Sequence, residues 1–276
     1  IGDFYYAPPS GYLALCSANL PEPTISPNAL TQADDYFSTT LWTGDDSFPR
    51  QITTGLSSSD WIMTKYYNQN VGGVSYDSSR GAGTGNDLPL NSGGAEEANS
   101  GSAFGHVSDF NNDNNGVTLA DGSANGAFVN SDGGLHVMYA WKANDGTTSS
   151  NSNGSITSAV QANTDAGFSI VTYTGTGSNA TIGHSLGSVP KMIIVKNRDA
   201  VNDWVIYHIG LSGAAYYVRL NTTNAQAVAT NIWQGATPTS SVFSIGTSAA
   251  SNASGNDYVA YCFAEIEGYS KFGSYT

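Results

Sequence analysis

Any bond-breaking chemistry in this chain would have to draw on few groups. Paired carboxylates are the minimum for glycoside hydrolysis, and there are five glutamates: Glu22, Glu96, Glu97, Glu265 and Glu267. Glu265 and Glu267 close the last strand-like stretch on one face by period two, which makes them the best acid pair. Glu96-Glu97 lies among Gly and Ser and reads as a solvated acidic patch. The four histidines, His106, His136, His184 and His208, have no second His or Cys at metal-ligand spacing. Ser is abundant, but no Ser is assigned as a nucleophile. No catalytic residue is assigned, and the expectation is a protein that is not an enzyme.

Two constellations could bind rather than react. Asp109, Asn111 and Asp113, in Asp109-Phe110-Asn111-Asn112-Asp113-Asn114-Asn115-Gly116, place oxygen donors at alternate positions as a calcium loop does. Asn114 stands where such a loop has its glycine, and no closing Glu follows, so an Asn/Asp turn cluster competes with a calcium site; no other cofactor is expected. Aromatic rings that stack on sugars must be exposed. Trp42, Trp61, Trp141 and Trp204 sit in strand patterns and read as core, whereas Trp233, Tyr66 and Tyr67 fall outside the clearest pattern and are the candidate glycan or receptor contacts. Cys16 and Cys262, both in apolar stretches, read as buried inert thiols rather than a bridge.

The elements that would position these groups are strands. Short period-two or apolar runs alternate with Gly, Asn, Ser and Asp clusters, and no stretch has the periodicity of a long amphipathic helix. The clearest are Phe168 to Thr174, Met192 to Lys196, Trp204 to His208, Tyr216 to Leu220, Val242 to Gly246 and Tyr258 to Phe263, with Tyr12 to Ala18 a further strand. Only 11% of the 276 residues are charged while 39% are hydrophobic, so the surface is one of hydroxyls and amides around a packed interior. A net charge of −13 repels a phosphate backbone and excludes nucleic acid as a partner. No apolar run approaches the length of a membrane span, so no membrane insertion is expected.

The first half of the chain repeats the second. Phe37-Ser38 and Thr43-Gly44 answer Phe168-Ser169 and Thr174-Gly175 at an offset of 131 residues, and Trp61 to Lys65 answers Met192 to Lys196 at the same offset. Leu90-Asn91 answers Leu220-Asn221 at 130, and His136 to Trp141 answers Tyr258 to Phe263 at 122. Strand order survives while loops change length. The organisation expected is an N-terminal extended segment over 1–30, one sandwich over 31–150 and a second over 151–276, with 266–276 resembling the first strand of a further copy. Asn144 to Asp165 reads as a polar linker with one short strand at Ser155 to Ser158.

The stretches Gly167 to Gly175, Pro190 to Arg198, Tyr258 to Phe263 and Glu267 to Tyr275 resemble a repeated domain of large virion proteins in marine tailed bacteriophages. The opening Gly2 to Tyr6 with Gly11 to Cys16 resembles the end of a SPRY-like domain that precedes such repeats. The resemblance covers nearly the whole chain, more closely in the second half. It implies a concanavalin- or laminin-G-like sandwich on the virion exterior and transfers no catalytic residues.

The fold expected is therefore all-β: two tandem antiparallel β-sandwiches, jelly-roll-like, related by an internal repeat. The function expected is a non-enzymatic structural or adhesion module of a phage tail fibre or appendage, extracellular on the virion surface. Its expected partners are copies of itself in a homo-oligomer such as a trimer, other virion proteins and a host surface glycan. The competing readings are a capsid decoration or filament subunit assembled by strand pairing, and a carbohydrate-binding or polysaccharide-degrading protein.

Overall fold

The computed structural model describes residues 25, 31–70, 72–96, 103–111, 115–126 and 128–275, with the backbone alone at 111. A short 3-10 turn, Ala33–Asp35, leads into the first unit. Its strands are β1 (Phe37–Thr43), β2 (Arg50–Thr53), β3 (Trp61–Tyr66), β4 (Val74–Asp77), β5 (Leu88–Pro89), β6 (His106–Asn111), β7 (Gly116–Ala120) and β8 (Leu135–Trp141). A five-stranded sheet in the order β1-β8-β3-β4-β5 faces a three-stranded sheet in the order β2-β7-β6. Every named pairing is antiparallel. Ile62, Tyr76 and Met138 of the larger sheet meet Ile52, Val107 and Leu119 of the smaller in one apolar core. Alternate residues point inward, as the period-two pattern requires.

The second unit holds β9 (Ser149–Asn151), β10 (Ser158–Asn163), β11 (Phe168–Thr174), β12 (Ala180–Gly183), β13 (Pro190–Asn197), β14 (Val205–His208), β15 (Tyr216–Arg219), β16 (Ala227–Val228), β17 (Val242–Ile245) and β18 (Asp257–Ala264), with two one-turn helices, α1 (Thr230–Trp233) and α2 (Ala249–Asn252). Eight strands run in the order β16-β15-β14-β13-β18-β11-β10-β9, and the β12-β17 pair covers them together with the helices. The stretch expected to be linker instead supplies β9 and β10, which extend this sheet beyond β11. Its Ser, Thr and Asn content concealed strands whose hold is backbone pairing, and the expected Ser155 to Ser158 strand meets β10 only at Ser158.

The two units share an order of pairing. β1-β8-β3-β4-β5 and β11-β18-β13-β14-β15 are matched strand for strand, and β2-β7 holds the place of β12-β17. The registers agree at the offsets read from sequence: Phe37 pairs Trp141 as Phe168 pairs Phe263, Ile62 pairs Tyr76 as Ile193 pairs Tyr207, and Ser75 pairs Leu88 as Ile206 pairs Val218. Loop anchors agree as well. The Asn130 and Asn252 amides, both fully buried, donate to the carbonyls of Ser47 (3.0 Å) and Ser178 (2.6 Å). The Trp42 indole donates to Val129 O, and the Tyr173 hydroxyl to Ser251 O. A glycine follows β1 and another follows β11 because a Cβ on Gly44 or Gly175 would press into the carbonyl of Ser131 or Ala253.

Candidate functional site: the outer face of the first sheet

The five-stranded sheet is apolar on both faces, which a sandwich closed on one side does not need. On its outer face β1, β8 and β3 set residues in rows: Phe37, Trp141, Trp61; then Thr39, Tyr139, Met63; then Leu41, Val137, Lys65. Trp61, Trp141 and Met63 from these rows, with Leu88 and Leu90 on the β4-β5 side of the sheet, pack on the outer face of the second unit and form a third apolar cluster with Phe168, Ile170, Ile194, Trp204 and Tyr261. Trp61 stacks on Tyr261 at 4.1 Å between ring centroids and on Trp141 at 4.4 Å. Phe168 and Phe263 lie 5.9 Å from it.

Polar groups bind this junction. Arg80, its side chain fully buried, contacts Asp77 at 2.5 Å and Glu96 at 2.6 Å, and donates to Asn86 O at 2.7 Å. Glu96 reaches on to Arg198 of the second unit at 2.9 Å, and the Tyr261 hydroxyl donates to Asp77 at 2.6 Å. Forked guanidinium donors suit this bridging, since one Arg satisfies two carboxylates and a carbonyl at once. Lys196 donates to Gly93 O at 3.2 Å and Asn197 O at 2.7 Å; burial pulls its ammonium down to about 8, against the pull of Asp203 and Glu96. The Trp204 indole donates to Pro89 O.

The chain between the units is held too. The buried Asp60 carboxylate accepts from Ser58 and Ser78 hydroxyls and from the backbone N–H groups of Ala143, Asp145 and Gly146. Gln161 of β10 accepts from Gly146 N and donates to Ser78 and Ser79.

Beside the junction lies an open, largely apolar cleft of about 580 Å³, lined by Phe37, Met63, Trp141, Met192 and Phe263 and flanked by Tyr269 to Phe272. From the cleft the outer face continues into solvent: Leu41 is 65% exposed, Tyr139 40% and Tyr67 47%. Tyr67 follows β3 and donates its backbone N–H to Leu135 O, which puts it in the row after Lys65.

The residues singled out from sequence are dispersed. Trp233 is 2% exposed and not a surface contact: its position in α1 turns the ring into the second core, edge-on to Tyr207 at 6.3 Å. Short helices among strands lack the length that would reveal a buried face. Tyr66 is half-buried, its ring stacked on His136 at 4.8 Å on the core side of the sheet, so that ring face is taken. Tyr67 alone of the three is well exposed, and it lies in the other unit from Trp233. Asp109 is in β6, Asn111 ends that strand, and Asp113 lies outside the described residues. No group of three His, Cys, Asp or Glu arranged for a metal occurs among the described residues.

Glu265 and Glu267 lie just past the strand: β18 stops at Ala264, Glu265 follows it directly, 3.4 Å from Lys271, and Glu267 lies in the turn closed by the Ile266–Ser270 bridge. They border a polar hollow with Lys191. Glu96 is the clearest departure: the expected solvated acid is a junction ligand between two arginines, while Glu97 and Cys16 lie outside the described residues. Cys262 is buried, and burial raises its thiol to about 12. His136, flat against Trp42 at 5.2 Å, is held down to about 4 by burial.

Fold and site together define an all-β protein of two antiparallel sandwich units joined back to back by an aromatic stack and a buried ion network. No helix of the described residues is long and apolar enough to cross a membrane. The chain belongs to the family described as a domain of unknown function, DUF7483, whose model matches residues 32–276 and so runs through both units and their junction. No curated protein and no solved structure matches it.

Proposed function

We propose that the chain is a non-enzymatic structural and adhesion module of a virion, part of a tail fibre or similar appendage, extracellular on the particle surface and working as a homo-oligomer beside other virion proteins. The observation that carries this reading is the use made of the scarce ionisable groups: Asp77, Arg80, Glu96, Arg198 and Tyr261 face one another across a junction instead of a substrate cavity. The resemblance of Pro190 to Arg198 and of Glu267 to Tyr275 to repeated virion domains points the same way. The Ser-, Thr- and Asn-rich loops offer neutral hydrogen-bonding contacts whose weak individual affinities add on an oligomeric fibre. Equal pairing registers at fixed offsets support descent of both units from one duplicated unit.

Labelling purified particles with antibodies against the chain tests the location, and particles that carry none of it would overturn the reading. Incubation with polysaccharides tests the non-enzymatic part: reducing ends released by wild type and lost in Glu265→Gln would make it a hydrolase. A filament or decoration subunit is the second reading, favoured by one feature: among the described residues β1 is an edge strand of its sheet, a position from which strands pair between chains.

A further inference from the structure

The two units present the same outer face to different surroundings. In the second unit the rows read Phe168, Phe263, Met192; then Ile170, Tyr261, Ile194; then Thr172, Val259, Lys196. Tyr261, Val259 and Lys196 are fully buried there, beneath Trp61 and the segment carrying Pro89, Gly93 and Glu96. At the matching positions of the first unit Val137 is buried as well, but Tyr139 is 40% exposed and Lys65 is exposed, as is Leu41 beside them. The packing of the units is offset: it covers Trp61, Trp141, Met63 and the β4-β5 side of the first sheet and leaves Thr39, Leu41, Lys65 and Tyr139 open.

We propose that this open strip, Leu41 and Tyr139 with Thr39, Lys65 and Tyr67, is an interface that takes a second copy of the chain, strip against strip about a two-fold axis. The proposal rests on the structural-module reading and names the surface by which such a module associates. Three observations select a second copy over another occupant. The strip is continuous with an interface the fold already makes, since Phe37 stacks on Tyr139 at 6.5 Å and packs on Trp141 at 4.9 Å, and Trp141 in turn meets Phe263 of the second unit. On the same face of the second unit, Tyr261, Val259 and Lys196 are covered by a unit of matching topology. The one charge on the strip is Lys65, so two chains of net charge −13 meet there without opposing carboxylates. A two-fold contact is self-complementary and closed, so the expected assembly is a dimer, not the trimer suggested by sequence.

Sedimentation velocity on the full chain from about 1 to 300 μM tests this, with hydroxyl-radical footprinting of Leu41, Tyr67 and Tyr139 at both ends of the range. The expected result is a dimer whose dissociation constant rises at least about tenfold in Leu41→Asp and in Tyr139→Asp. Tyr139→Phe and Val201→Asp, the latter at an exposed apolar residue elsewhere, leave it unchanged. Footprinting should show protection at high concentration only. A monomer throughout, a trimer, or a dimer indifferent to both strip substitutions overturns the proposal. So does protection independent of concentration, which would assign the strip to other residues of the same chain and which needs no variant that might misfold. None of these outcomes moves the particle labelling, so the two readings fail separately.

Discussion

Replacing Arg80 with Met keeps the aliphatic stem and removes the guanidinium at the centre of the junction. In the wild type that group serves Asp77, Glu96 and the Asn86 carbonyl with no access to water. After the change Glu96 still holds Arg198, and Asp77 keeps the Tyr261 hydroxyl and the backbone N–H of residue 80 at 3.0 Å. The damage therefore concentrates on one dry carboxylate. Breaking a buried pair by removing one partner costs about 3–5 kcal/mol, and the surviving bonds place this case near the lower end, about 3 kcal/mol.

Urea unfolding followed by tryptophan fluorescence suits the measurement, because Trp61 and Trp204 lie in the junction. The midpoint shift at unchanged slope gives the difference in free energy. The Asp77→Leu change in the Arg80→Met background should recover part of the loss, since it removes the orphaned charge. A cost below about 1 kcal/mol, the range of exposed ion pairs, would refute the picture of a dry network.

Two further substitutions probe the unit itself. Gly44→Ala and Gly175→Ala should each cost on the order of 1–3 kcal/mol through the same carbonyl clash, and thermal melts showing one of them neutral would break the equivalence of the two loops. His136 carries a folded pKa of about 4 against an ordinary value near 6.5, so its neutral form is the one that fits between Trp42 and Tyr66. Its contribution is present above pH 6.5 and lost as pH falls towards 4, roughly 3 kcal/mol in all. His136→Phe should flatten that part of the acid limb in urea titrations at pH 7 and pH 4, and equal losses in both proteins would remove His136 as the cause.

The pairing register was legible in the sequence because residues on these strands meet fixed neighbours, so the offset between matched strands changes only across loops. Phe37, Trp61 and Trp141 kept their spacing to Phe168, Met192 and Phe263 through that constraint. The junction was not legible, since periodicity shows that a face is apolar but not what lies against it. Glu96 looked like a surface acid for that reason; the available signal was the scarcity of cations, 9 Lys and Arg in all, which makes Arg80 beside Asp77 conspicuous. Trp233 failed differently, because a single helical turn has no period to read.

The grip of Asp60 on the turn at Ala143 to Gly146 has a mechanical consequence. A connector that swung freely would let one shell swivel against the other under tension. Tied down at its first turn and zipped into β10 beyond it, this one has no slack to give. Load entering along β1 crosses to β18 through stacked rings and guanidinium forks, so the pair of shells resists stretching as a single stiff link.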